Sequence, residues 1–111
     1  MSYNVIPTDK FKKEANRLIK KYPSLKSELL NLCAILYAQP STGTPLSNDT
    51  HKIRIAIRSK GKGKSGGARI ITYLITENRE VYLLTIYDKA ELDTIDDKSL
   101  KKIIDKLKSG E

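Results

Sequence analysis

The chain predicts an α+β fold in a single domain, residues 1–111, with a helical hairpin and a C-terminal helix packed on a mostly antiparallel sheet. Three observations carry this. Apolar residues recur at helical spacing in 9–21, 25–38 and 97–107. They alternate with cations in 51–58, and two β-rich runs, 68–76 and 81–87, are joined by the turn signal Glu77-Asn78-Arg79. A chain of 111 residues supplies one core, not two.

Taken in order, Tyr3 to Pro7 reads as a short strand that Pro7 ends, with Thr8 placed to cap a helix. From Asp9 to Lys21, Phe11, Ala15, Leu18 and Ile19 fall at i, i+4, i+7 and i+8, which makes an amphipathic helix with a basic outer face. Tyr22-Pro23-Ser24 interrupts it, because proline disfavours helix in the residue before it and suits a first turn. A second helix runs to about Ala38 with Leu25, Leu29, Leu32, Cys33 and Leu36 on one face. Gln39 to Thr50 is a polar loop in which Leu46 anchors back to the core. In His51 to Arg58 the isoleucines 53, 55 and 57 alternate with Lys52, Arg54 and Arg58, so one strand face is core and the other cationic. Ala68 to Thr76 is too apolar for a wet face and takes a central place in the sheet. Val81 to Tyr87 returns as its hairpin partner. After an irregular stretch, Asp96 or Asp97 caps a last helix carrying Leu100, Ile103, Ile104 and Leu107. The predicted order is β-α-α-β-β-β-α, with the face opposite the helices partly exposed.

The net charge of +8 is local: residues 50 to 76 hold seven cations and no carboxylate. Such a surface suits a polyanion; nucleic acid, an anionic membrane surface and an acidic protein partner would all satisfy it. No apolar run reaches 18 residues and the N-terminus lacks a signal-peptide core, which predicts a cytoplasmic protein without a membrane anchor. One cysteine, Cys33, rules out an internal disulfide and a cysteine metal cluster, and reads as a small core residue.

The stretch around which the chain is organised is Arg58 to Tyr73, RSKGKGKSGGARIITY, cationic and free of carboxylates. Glycines at 61, 63, 66 and 67 permit positive φ and close approach, and with Lys60, Lys62 and Lys64 they form a mobile phosphate-facing loop; a solvated hairpin tip is the blander reading. The order GKGKSGG lacks Walker-loop spacing. Tyr73, Tyr82 and Tyr87 either stack on bases or pack in the sheet, and strands favour the packing. Cleavage of RNA by its own 2′-OH needs a base, charge stabilisation at phosphorus and an acid for the leaving oxygen. Arg54 and Arg69 suit a phosphate clamp, and crowded lysines suit proton transfer. His51, the one histidine, reads as structural, which leaves no histidine pair for catalysis. Asp88, Glu91, Asp93, Asp96 and Asp97 match no calcium-loop spacing and read as a solvated, helix-capping cluster, so neither metal nor cofactor is implied.

The runs HKIRIAIRSKGKGKSGGARIITYL and VYLLTIYDKAELD, with the preceding GTPL, resemble the RelE superfamily of bacterial type II toxins, in particular its HigB-like branch. The resemblance spans nearly the whole chain. It implies a RelE-like fold and a ribosome-dependent mRNA endoribonuclease that enters the ribosomal A site and cuts translated mRNA. The implied chemistry is metal-independent 2′-OH attack leaving a 2′,3′-cyclic phosphate. It also implies a cognate antitoxin, with repression of the shared promoter by the complex. The family's basic strand pair falls on Lys52 and Arg54, and its phosphate-holding cations fall on Arg69 and Lys89; Arg54, Arg69 and Lys89 are the implied catalytic residues. Lys52, Arg58, Lys60, Lys62, Lys64, Tyr73 and Tyr87 form the expected RNA-binding surface. The family's C-terminal catalytic tyrosine corresponds to Ile95, so the general base stays open among Arg54, Lys62, Lys64 and Tyr87. Two rival readings are a ParE-like inhibitor of DNA gyrase and a non-catalytic RNA-binding module.

Overall fold

The computed structural model describes residues 2–61 and 63–110. Its elements are β1 (Asn4–Pro7), α1 (Asp9–Lys21), α2 (Leu25–Ala38), β2 (Thr44–Pro45), β3 (Thr50–Ile55), β4 (Ala68–Ile75), β5 (Glu80–Asp88) and α3 (Asp97–Lys108). The strands form one sheet in the order β1-β5-β4-β3-β2, in which β1 runs parallel to β5 and every other pair is antiparallel. This is the α+β architecture that the sequence predicts, with one addition. The polar loop after α2 contributes the two-residue strand β2, which pairs Thr44 with Lys52 and Pro45 with His51.

Each helix starts where a side chain answers the unpaired amides. Thr8 Oγ1 accepts from Phe11 N–H and itself donates to Leu83 C=O at 3.0 Å, which seats α1 on β5. Asp96 accepts from Ser99 N–H at 2.7 Å and caps α3. Helices α1 and α2 bury Phe11, Leu18, Leu25, Leu29, Leu32 and Leu36 against Ile53, Ile70, Val81, Leu83 and Ile86 on one sheet face.

Helix α3 lies on the opposite face. Leu100 and Ile104 pack there with Ile71, Tyr73, Leu84 and Tyr87. The expectation of a partly open second face is therefore corrected: α3 covers much of it. The sheet is also kinked. Its β4–β5 register passes from Ile71↔Thr85 to Thr72↔Leu83, leaving Leu84 as an extra residue. Glu14 of α1 answers this bulge by accepting from Thr85 Oγ1 at 2.7 Å and from Ile86 N–H at 3.3 Å.

Candidate functional site

Strand register assembles the site. Arg54 of β3 stands opposite Arg69 of β4, and Arg69 stands opposite Tyr87 of β5, so the three share one row across the sheet. Two residue pairs further along, and so on the same face, Lys52 stands opposite Ile71. Side chains alternate faces along a strand, which places this row on the α3 face and the neighbouring Ala68↔Asp88 pair on the α1/α2 face. Lys89 follows β5 directly, and its N–H donates to Gly67 C=O at 3.0 Å, closing the end of the row.

The connection from β3 to β4 is a built structure. Two short 3-10 turns, Arg58–Lys60 and Lys64–Gly66, frame it. Gly61 and Gly63 take φ of +74° and +63°, the left-handed region that glycine enters cheaply. Gly67 answers a different constraint, since a Cβ there would sit 1.9 Å from Ile55 C=O. The lysine and glycine loop expected from composition is thus framed by a short turn at each strand end. Lys62 lies outside the described residues.

Arg69 holds the loop from beneath. It is 3% exposed, and its guanidinium donates to the carbonyls of Lys64 at 2.9 Å, Ala68 at 3.2 Å and Ser65 at 3.4 Å. Burial, and then the adjacent Arg54 charge, push its pKa down, while Tyr87 acts in the opposite sense. Arg54 is exposed and has no ion-pair partner among the described residues. Two arginines thus meet in one cross-strand pair with no carboxylate between them, an arrangement that an anion in front of Arg54 would relieve.

Of the expected RNA-binding cations, Lys52 and Lys64 join this end of the sheet. Lys52 is half-buried with Nζ 3.4 Å from Thr94 Oγ1, and Lys64 is exposed. Lys89 is ion-paired with Asp93, four residues on. Arg58 and Lys60 turn the other way. The strand stops at Ile55, so Arg58 begins a turn beside α2, where its N–H donates to Glu28 at 2.9 Å and its guanidinium to Ser27 Oγ at 3.1 Å.

Lys60 is a correction of substance. Its side chain is 7% exposed, and its ammonium lies 2.6 Å from the carboxylate of Asp88, which is wholly buried. Asp88 also accepts from Tyr22 Oη at 3.0 Å and from Ala90 N–H at 2.9 Å, and Lys60 Nζ lies 5.3 Å from the Tyr22 ring centroid. Burial pushes the Asp88 carboxyl up, but the hydrogen bonds from Lys60, Ala90 and Tyr22 and the Lys60 charge outweigh it, leaving the pKa lowered. This network locks the loop base to β5 and to the α1–α2 junction; Lys60 is bound to it and is not available to solvent.

The aromatic candidates are core residues. Tyr73 lies under α3 with Lys108 Nζ 5.9 Å from its ring centroid, and Tyr87 packs in the same cluster. The Tyr87 hydroxyl is buried and has no hydrogen-bond partner among the described residues; the same holds for His51 Nδ1 and Thr72 Oγ1, whose residues face each other across β3 and β4. The acidic group is divided among separate tasks: Asp88 in the buried network, Glu91 with Arg17 in a two-pronged pair at 2.7 and 3.2 Å, Asp93 on Lys89, and Asp96 at a helix cap. Among the described residues no three of His, Cys, Asp and Glu gather as a metal set. No helix among them is long and apolar enough to cross a membrane.

Reasoning from sequence passed over Asp88, Tyr22 and Glu14 as organising residues. Asp88 alone carried a signal, as the acid that closes the apolar run VYLLTIY.

No protein-family model matches the sequence. Among solved structures, the fold is similar to that of a mutant of the Escherichia coli toxin RelE in the free state, with a TM-score of 0.61 and 16% identity over 84% of this chain and 90% of that one. It is also similar to the toxin–antitoxin complex RelBE2 of Mycobacterium tuberculosis, with a TM-score of 0.59 and 17% identity over 79% of this chain and 99% of that one. At such identities the likeness establishes the fold: three helices on a mostly antiparallel five-stranded sheet, as in RelE toxin structures.

Proposed function

We propose that this chain is the toxin of a bacterial type II toxin–antitoxin pair, within the RelE/ParE superfamily and close to its HigB-like branch, and that it cuts translated mRNA on the ribosome. The fold supports the toxin reading. The observation that carries the chemistry is the unneutralised Arg54–Arg69 pair at one end of the sheet, flanked by Lys52, Lys64 and Lys89.

In this reading Arg54 meets the scissile phosphate from the surface. Arg69, one strand behind, holds the loop at its working height and adds positive potential. The RNA 2′-oxygen attacks phosphorus, its proton passes to a base, and the bond to the 5′-oxygen breaks as that oxygen gains a proton. The products are a 2′,3′-cyclic phosphate and a 5′-hydroxyl. Two negative charges develop at phosphorus, and fixed cations stabilise them more than they stabilise the ground state. Arg54, Lys62 and Lys64 stay as the candidates for moving protons. The buried Tyr87 hydroxyl is not one, because a proton carrier must come within hydrogen-bond reach of the substrate. The partners in this account are mRNA, the ribosome and a cognate antitoxin in the cytoplasm.

A reconstituted translation reaction tests the reading. Purified protein should stop synthesis and fragment the message only when ribosomes are present. Intact message together with loss of DNA gyrase supercoiling would favour the ParE-like alternative. Salt-sensitive RNA binding with neither effect would favour a plain binding module.

A further inference from the structure

We propose that the outer face of α2 is a self-association surface, on which two copies of this chain meet as antiparallel helices. The proposal stands apart from the catalytic reading and uses none of its residues.

Helix α2 buries Leu25, Leu29, Leu32 and Leu36, yet its outer face is also apolar. Leu30 is 65% exposed, Tyr37 56% and Ile35 41%, and Ala34 lies exposed between them. From Leu29 to Ala38 only Asn31 interrupts the apolar residues, and a helical stretch that is apolar nearly all round is ordinarily covered all round. No lysine or arginine occurs from Ser27 to His51, in a chain of net charge +8. Two copies of a chain with net charge +8 repel overall, and on this face they can approach without opposing cations.

The spacing is self-complementary. Leu30, Ala34 and Tyr37 fall at i, i+4 and i+7, on one stripe with the small residue at its centre. A two-fold axis through Ala34 sets Leu30 of each copy against Tyr37 of the other, the isologous contact that closed dimers use. It also keeps the two Lys26 charges apart. Each lies eight residues from the centre, which separates them by roughly 24 Å at 1.5 Å per residue, well beyond the screening length at physiological salt.

Magnitude fixes the class of contact. At roughly 200 Å² for a fully exposed large side chain, Leu30 and Tyr37 offer on the order of 250 Å² per copy. Stable complexes bury about 800 Å² per partner, so this dimer is weak and forms only at high concentration.

The test is sedimentation of the full chain from about 10 to about 500 µM at low and high salt. The expected result is concentration-dependent dimerisation that strengthens with salt, the reverse of RNA binding. Leu30→Lys should abolish it with an unchanged melting temperature, because that side chain faces solvent. In a Cys33→Ala background, Ala34→Cys should form a disulfide-linked dimer on mild oxidation, whereas Lys12→Cys on the outer face of α1 should not. A wild-type chain that stays monomeric throughout overturns the proposal. So does association that survives Leu30→Lys, or an Ala34→Cys chain that fails to cross-link. A monomer whose Leu30→Lys variant loses affinity for a cognate antitoxin would give the face to that partner instead.

Discussion

Replacing Lys60 by methionine separates the two roles open to that residue. Methionine keeps the length and apolar stem of lysine but removes the ammonium that lies 2.6 Å from Asp88. The Asp88 carboxylate, wholly buried, would keep only the Tyr22 hydroxyl and the Ala90 N–H. Removing one partner from a buried ion pair costs about 3–5 kcal/mol, because the remaining charge stays desolvated. For a domain of this size each kcal/mol moves the melting temperature by roughly 4 °C, so Lys60→Met should melt about 12–20 °C lower. The double change Lys60→Met with Asp88→Asn should recover part of that loss, since it leaves no buried charge. Thermal unfolding followed by circular dichroism reads both. Below the melting transition, the salt dependence of RNA binding should match wild type. A cost under about 1 kcal/mol together with a shallower salt slope would refute the reasoning and return Lys60 to the RNA surface.

Other outcomes follow from the same contacts. Arg17→Ala removes an exposed pair with Glu91 and should leave the urea midpoint nearly unchanged. Gly67→Ala drives a Cβ to 1.9 Å from Ile55 C=O and should destabilise the fold by several kcal/mol, whereas Gly61→Ala meets no atom within 4 Å and should cost about 1 kcal/mol for its positive φ. The Asp88 carboxyl is lowered in the folded state, so its contribution is complete above the unfolded carboxyl pKa near 4. That contribution is lost as pH falls through the lower folded value. Urea midpoints should therefore hold from pH 7 to 5 and drop below about 4, and Asp88→Asn should flatten the drop.

What could be read from sequence was local. Thr8 and Asp96 announced their helices because a cap and its amide lie three residues apart. Ile53 alternating with Lys52 and Arg54 announced a half-buried strand. The same alternation misplaced Arg58: Ile57 is buried as the period requires, but the chain has already left the strand for a turn. Strand β2 escaped notice because two residues, one of them proline, carry no periodic signal. Lys60 looked free because its carboxylate partner lies 28 residues away. Tyr73 and Tyr87 looked available because an amphipathic helix such as α3 fits either face of a sheet, and the choice of face decides whether those rings are covered. Arg54 facing Arg69 depends on register, which a sequence states only where a tight hairpin sets it.

The central claim is that the Arg54–Arg69 end of the sheet cuts mRNA. It is tested most directly by mapping RNA 5′ ends in a reconstituted translation reaction with wild type, Arg54→Ala and Arg58→Ala. Arg54 faces the proposed phosphate site, whereas Arg58 is turned to Ser27 and Glu28 beside α2. The account predicts codon-phased 5′-hydroxyl ends that need ribosomes, at least about 100-fold fewer with Arg54→Ala, and near-normal cutting with Arg58→Ala. Cutting that survives Arg54→Ala but not Arg58→Ala would contradict it and move the reaction to the α1/α2 face of the sheet.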